Sequence, residues 1–392
     1  MAREYSTKGF LLEINAYPLL GKYFKKQELH QFDFLQGELD KNAVETVAKI
    51  EEEMQKLDTK KKTEIERDFT EINKLATEQG ASNLLDEAKE QEVQAPVDVF
   101  VNYDNHDKAL WFFVHHPSVF NEAAAVQQFL DLNGWKRVPV PSKSIDFVAG
   151  KKEAIKDAFQ KHYASELRGD YCFVDAYTKK DRVYLVVGVQ DYAQSDITAN
   201  DGKINKKGIR RPFFEIYFLY RPKNEDGVAE LEIKARGGWK RQSELLKVFC
   251  RAAFDIELDD SKQTFDLTLL TNPNFDFPRD TDLEWWKLKS IELRTMDRKT
   301  TYRVSVSDEN LFGVEGIWNF LRTYKLDYGI QNMLVNRADF QMKFAPTAKH
   351  PRGTISFYIN WKDTCQLNSI DELHIKAHKL LKKSGLDCGF TQ

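Results

Sequence analysis

Three groups of side chains in this sequence have the types and spacing that chemistry could use. The first is Lys203, Lys206, Lys207, Arg210 and Arg211, five cations within nine residues and no acid among them. A flexible positive cluster of this kind suits phosphate, because each phosphate it neutralises releases condensed counterions. It follows Asp191, Asp196 and Asp201, which could instead pair with it, and Lys-rich connections also serve solubility alone.

The second group is Glu215, Glu232 and Lys234. Metal-dependent phosphodiester hydrolysis can hold a divalent ion between an acid on one strand and the Glu of an acid-x-Lys element on the next. The Lys then steadies the attacking water or the developing charge. Side chains two apart on a strand share a face, so Glu232 and Lys234 would point the same way. That alternation equally puts Leu231, Ile233 and Ala235 on the opposite face of an ordinary half-buried strand. In that case the charges make only cross-strand ion pairs.

The third group is Cys365, His374, His378 and Cys388. Two histidines four apart lie on one helical face, a spacing that zinc accepts. The flanking cysteines stand at distances no structural zinc module uses, and Leu373, Ala377 and Leu380 already define a core stripe beside the histidines. Half-exposed histidines and buried thiols are the ordinary reading, with no metal. A divalent ion is expected only under the nuclease alternative, and no other cofactor is expected. The sequence has no phosphate-binding glycine loop, no dinucleotide fingerprint and no serine elbow. Gly237-Gly238 and His115-His116-Pro117 have turn and capping explanations. Trp285-Trp286, in a long connection, suits a core anchor or an interface.

The elements that must position these groups divide into two regimes. From Leu19 to Ala95 there is no proline, and good helix formers dominate. A helix from about Asn42 carries Val44, Val47, Ile50, Met54 and Leu57. A second, capped near Asp58, carries Ile65, Phe69, Ile72 and Leu75. Gly80 should end it and Asn83 should cap a shorter third. The short link predicts an antiparallel helical hairpin for residues 1–95. Between Glu38 and Glu92 stand 16 acidic and 9 basic residues, so its outer face is acidic.

After Ala95-Pro96 the hydrophobic period shifts toward two. Strand pairs are expected at Val97–Tyr103 with Ala109–His115, at Tyr171–Tyr177 with Arg182–Gln190, and at Phe213–Tyr220 with Val228–Ala235 around Asn224–Gly227. Short strands are expected at Arg137–Val140 and Ile145–Val148. Further strands are expected at Phe265–Leu270, Leu288–Arg294, Tyr302–Ser307, Met333–Phe344 and Thr354–Trp361. Helices are expected at Ser118–Leu132, Lys151–Leu167, Gln242–Phe254, Asn310–Tyr324 and Ile370–Lys383. The connections Asp191–Pro212 and Thr271–Glu284 read as long, functional loops. Together these predict an α+β protein: a helical N-terminal region at 1–95, then antiparallel sheets of hairpins with helices on one face. An α+β domain at 96–260 and a C-terminal one at 261–392 complete the expected division.

With a net charge of −3 and a pI near 6.3, there is no global electrostatic case for nucleic acid or membrane. Four dispersed cysteines point to reduced thiols and a cytoplasmic setting rather than a disulfide scaffold. No apolar run is long enough to span a bilayer. The leading expectation is a non-catalytic interaction or regulatory protein, a subunit of a multi-protein system, docking another protein through its N-terminal helices. One alternative is DNA or RNA binding through Lys203–Arg211, aided by Lys376, Lys379, Lys382 and Lys383. The other is a metal-dependent nuclease using Glu215, Glu232 and Lys234. No membrane partner is expected.

Overall fold

The computed structural model describes residues 5–36, 43–94, 96, 101–179, 181–200, 203–223, 229–258, 264–297, 299–307, 311–347, 350–361 and 364–388. The chain is an α+β protein with its helical region first. It divides into two compact units, Met1–Asp131 and Leu132–Gln392. The position expected as a boundary, Ala95-Pro96, falls inside the first unit, with Ala95 itself outside the described residues. The expected boundary at 260/261 lies outside the described residues.

The first unit contains α1 (Thr7–Glu13), α2 (Tyr17–Lys26), α3 (Ala43–Gln55), α4 (Thr59–Leu75), α5 (Glu78–Glu90), α6 (Asn105–His115) and α7 (Pro117–Leu130). Asp58 caps α4 as its type demands, accepting from the Lys61 amide at 2.9 Å. Two expectations fail next to it. Thr77, not Asn83, caps α5, accepting from the Gly80 amide at 3.0 Å, so Gly80 lies within that helix and does not end the previous one. Asn83 is buried and donates to Gln127 at 2.8 Å. Nor is Ala109–His115 a strand. It lies in α6, capped by Asp104. A short, continuously apolar run has no period to distinguish the two states, and the aspartate cap decides for helix. Of its expected partner, Val97–Phe100 lie outside the described residues.

The apolar stripes of these helices meet in one core, with Phe10, Tyr23, Phe24, Phe32, Ile50, Phe69, Ile72, Leu84 and Phe112 each at most 2 % exposed. Helix α3 packs on α1, while α4 packs on α1, α5, α6 and α7, so the two belong to a larger bundle rather than a free-standing hairpin. Val47, Ile50 and Met54 of the α3 stripe are buried in this unit, while Val44 is 65 % exposed.

Asp107 ties α6 to the α1–α2 link. Its Oδ1 accepts the backbone amides of Asn15 at 3.1 Å and Ala16 at 3.0 Å. Burial raises its pKa to about 6. A raised carboxyl favours the protonated folded state, so the associated stability is complete below the unfolded value near 4. It is lost as pH climbs through about 6. Asp107→Asn keeps an oxygen for both amides without the charge. It should be at least as stable as the parent at pH 7.5, by about 1 kcal/mol after discounting for solvent screening. That advantage should vanish by pH 4. Urea unfolding at the two pH values checks it, and a variant less stable at pH 7.5 contradicts it.

The second unit is built on one ten-stranded antiparallel sheet. Its strands and helices are β1 (Trp135–Val140), α8 (Ile145–Ala149), α9 (Lys152–Ala164), β2 (Cys172–Lys179), β3 (Arg182–Gln190), β4 (Gln194–Asn200), β5 (Lys203–Arg210), β6 (Phe213–Arg221), β7 (Ala229–Lys234), α10 (Gly238–Phe254), β8 (Leu283–Thr295), β9 (Thr301–Ser305), α11 (Glu315–Thr323), β10 (Met333–Phe344), β11 (Thr354–Asn360), β12 (Thr364–Cys365) and α12 (Glu372–Lys383). The spatial order is β2-β3-β6-β7-β1-β12-β11-β10-β8-β9, while β4 and β5 pair only with each other. Three segments differ from expectation. Ile145–Val148 lies in helix α8, capped by Ser144. Phe265–Leu270 gives one isolated bridge and a 3-10 turn. Asp191–Pro212 contains the β4–β5 hairpin instead of a loop. The expected turn at Asn224–Gly227 lies outside the described residues.

The halves of this sheet bury opposite faces. In register, Val138, Leu231, Tyr220 and Val183 form one row, in a core with Ile155 and Phe159 of α9 and Leu246 and Phe249 of α10. On the other face, Trp135, Cys365, Ile359 and Ala338 form a row that continues into the core containing Leu373, Ala377 and Leu381 of α12. Strand β1 sits where the two arrangements meet. Because neighbouring side chains alternate, Lys136 points to the α10 face and Arg137 to the α12 face, and both are buried. Lys136 donates to Ser243 at 2.6 Å and lies 5.0 Å from the Trp239 ring centre.

Candidate functional site

The cationic segment is an ordered antiparallel ribbon. Pairing runs from Gln194↔Arg210 to Asn200↔Lys203, with a register shift between Asp196 and Thr198. Strands of this length extend roughly 20 Å. At the base, the Asp191 amide donates to the Pro212 carbonyl at 2.7 Å, and the Tyr192 hydroxyl donates to the Glu166 carbonyl at 2.7 Å. Arg168 completes the anchor, bonding Asp191 at 3.1 Å and Glu166 at 2.7 Å while lying over the Tyr163, Tyr192 and Phe214 rings.

Above this anchor the ribbon exposes what a strand normally hides. Ile197, Ile204 and Ile209 are 70 %, 68 % and 76 % exposed. Lys207 and Arg210 are exposed beside them, and Lys203 and Lys206 occupy backbone positions on β5. Arg210 pairs with Asp196 at 3.2 Å, and Arg211, just beyond the strand, with Asp170 at 2.8 Å. The acids suspected of pairing with this cluster thus do so in part. Exposed pairs of this type are worth little.

The carboxylates and Lys of the second group are not gathered. Glu215 lies opposite Gly188 and accepts the Tyr217 hydroxyl. Glu232 lies opposite Leu219, four residues further along β6, so the two strand positions stand roughly 13 Å apart. Lys234 shares the Glu232 face, as alternation requires, but donates to the Asn133 carbonyl, and burial lowers its pKa.

The third group is also dispersed. Cys365 is buried on β12, with its thiol pushed up to about 12 by burial. His374 accepts the Asn368 amide at 3.2 Å, and the Cys388 thiol contacts the Gly385 carbonyl at 3.6 Å. Among the described residues, no group of three His, Cys, Asp or Glu side chains is placed to hold a metal ion.

Glu232 and His378 instead meet in a buried ionic cluster between β1, β7 and α12. Arg137 lies across from Glu232 in register. Its guanidinium stands 3.5 Å from Glu230 and 3.6 Å from Asp387, and donates to His378 Nδ1 at 2.8 Å. Burial works against the Arg137 charge, but Glu230, Asp387 and Glu232 outweigh it and keep it protonated. Burial, and next the Arg137 charge, holds His378 well below its usual range, so its ring is neutral and accepts. Burial raises the Glu232 carboxyl, whose Oε2 finds no hydrogen-bond partner among the described residues. Arg182 and Arg221 both donate to the Ser369 carbonyl, at 2.6 and 2.9 Å. Sequence reasoning missed Arg137, Arg182, Arg221, Glu230, Ser369 and Asp387. The available signal was charge at inward positions of the otherwise apolar strands Trp135–Val140 and Ala229–Lys234.

A third feature is a shallow cleft of about 560 Å³ lined by Phe275, Asp276, Trp285, Phe312 and Glu315. The Thr271–Glu284 connection forms one wall, held by a 2.7 Å bond from Trp286 Nε1 to Asp276. Compared with known proteins, the chain matches no family model and no curated protein. Among the described residues, no helix is long and apolar enough to cross a membrane.

Proposed function

We propose that the chain is a nucleic-acid-binding protein whose recognition arm is the β4–β5 ribbon. The observation that carries this reading is the ribbon itself: an anchored two-stranded element, basic along β5, with three isoleucines left in solvent. A two-stranded ribbon fits the major groove of a duplex, and ribbons also follow the minor groove. The cations would neutralise backbone phosphates, and an exposed isoleucine is an apolar wedge of the kind that enters a base step. No catalysis is required.

Fluorescence anisotropy with labelled duplex and single-stranded oligonucleotides over a salt series tests it. If about four phosphates are contacted, log K should fall with log salt at a slope of about −3.6 for a duplex. Absence of saturable binding at low salt would refute the reading. So would unchanged binding after residues 194–210 are replaced by a short turn.

A second reading, docking of a protein partner, draws on the same isoleucines, since exposed apolar strand surface is unusual in a solitary protein. It moves the expected docking surface from the N-terminal helices to the ribbon. Partner capture that survives nuclease treatment and is lost with the ribbon would favour it.

A further inference from the structure

Beneath α12 lies a cavity of about 50 Å³ lined by Arg137, Arg221, Glu230, Ser369, Ile375, His378, Lys379 and Lys382. We infer that it binds a small oxyanion of the phosphate class, a role independent of the ribbon. Four cationic residues, the neutral imidazole of His378, Ser369 and one carboxylate, Glu230, surround a space with room for a few water-sized groups. That suits a tetrahedral oxyanion and excludes a nucleobase.

Two observations point to an anion rather than to water alone. The guanidinium groups of Arg182, which also pairs with Asp181 at 3.2 Å, and Arg221 converge on the single Ser369 carbonyl, so two like charges are held close together beside the cavity. Burial, and next the Arg182 charge, weakens the hold of Arg221 on its proton, and an anion here would relieve that repulsion. The Nε of Arg221 is also buried and makes no hydrogen bond among the described residues. Two guanidinium groups held side by side at a small space are suited to fork-like recognition of an oxyanion.

Glu230 refines the ligand class. Glu230 lines the space, with Asp387 and Glu232 behind it around Arg137, and a carboxylate there repels a fully deprotonated oxyanion but accepts a hydrogen bond from one that still has a proton. Hydrogen phosphate has that proton at neutral pH and sulfate does not. The same chemistry fits inorganic phosphate and the terminal group of a phosphate monoester. Lys379 is exposed and Lys382 half-buried, which places the opening of the site at the outer side of α12.

The test is thermal unfolding and calorimetric titration of the full chain at constant ionic strength, with chloride as reference. Inorganic phosphate should raise the melting temperature saturably, and sulfate should do so less. Glycerol 3-phosphate shows whether an ester enters: binding of phosphate alone assigns the free ion, and binding of both assigns the monoester class. Lys382→Gln, at the rim, should weaken phosphate binding about tenfold while leaving the fold intact. Arg221→Gln should abolish it, and the chain lacking the ribbon should retain it. No saturable response to phosphate at millimolar concentration overturns the inference. An equal response to sulfate, or undiminished binding in the folded Lys382→Gln chain, does so too.

Discussion

Replacing Arg137 by Met should destabilise the second unit by about 3–5 kcal/mol, because it removes a buried counter-charge from Glu230, Glu232 and Asp387. Glu230, Glu232 and Asp387 are each 3–4 % exposed, and the guanidinium is the cation that reaches Glu230 and Asp387 together from the centre of the sheet. Met fills much of the volume, so packing loss is small and the charge term dominates. Glu232→Gln should behave quite differently. Its Oε2 is already without a hydrogen-bond partner among the described residues, and burial already holds its pKa up, so neutralising it should change stability by less than about 1 kcal/mol. The pH response separates the two variants. A carboxyl whose folded pKa is raised loses its share of stability as pH rises through that pKa. Removing Arg137 takes away the charge that opposes the burial-driven rise of the Glu232 carboxyl, so the deficit should shrink as pH falls from 7.5 to 5. Urea unfolding at both values is the measurement. A small, pH-independent loss would mean that the cluster is well solvated.

Much of the framework was legible because periodicity and capping act locally. The Met333–Phe344 strand alternates from Ala338 onward, and the Tyr171–Tyr177/Arg182–Gln190 hairpin has a polar turn between two apolar runs, so both appear within two residues of expectation. Ala109–His115 was misread because an unbroken apolar run has no period. The Asp191–Pro212 ribbon was missed for the opposite reason: its strands are polar and its isoleucines face water, so the burial that creates alternation is absent. Among site residues, the cations of the ribbon stand out in sequence because five fall within nine residues with no acid among them. The ionic cluster does not. Arg137, Glu230, His378 and Asp387 are scattered over 250 positions, and only the pairing of β1 with both β7 and β12 brings them under α12. Glu232 was noticed for its neighbour Lys234, whereas its actual partner, Arg137, comes from a strand 95 residues earlier.

Converting Lys203, Lys206, Lys207, Arg210 and Arg211 to Gln should lower affinity for an oligonucleotide duplex about a hundredfold or more at physiological salt. The salt slope should flatten by about 0.9 for each phosphate contact removed. Changing Ile197, Ile204 and Ile209 to Ser should act in another way. The affinity should fall about tenfold with the slope unchanged, because an apolar wedge displaces no counterions. A third variant tests the sign. Asp196 pairs with Arg210 at 3.2 Å and competes with any phosphate for it, so Asp196→Asn should strengthen binding a few-fold and steepen the slope. A passive, solubilising ribbon would give three indifferent variants, and a protein-docking ribbon would respond to the isoleucines alone. Only a ribbon that meets a phosphate backbone should weaken with the first variant and strengthen with the third. A gain on removing the Asp196 charge would place a phosphate close to Arg210, which that carboxylate pairs.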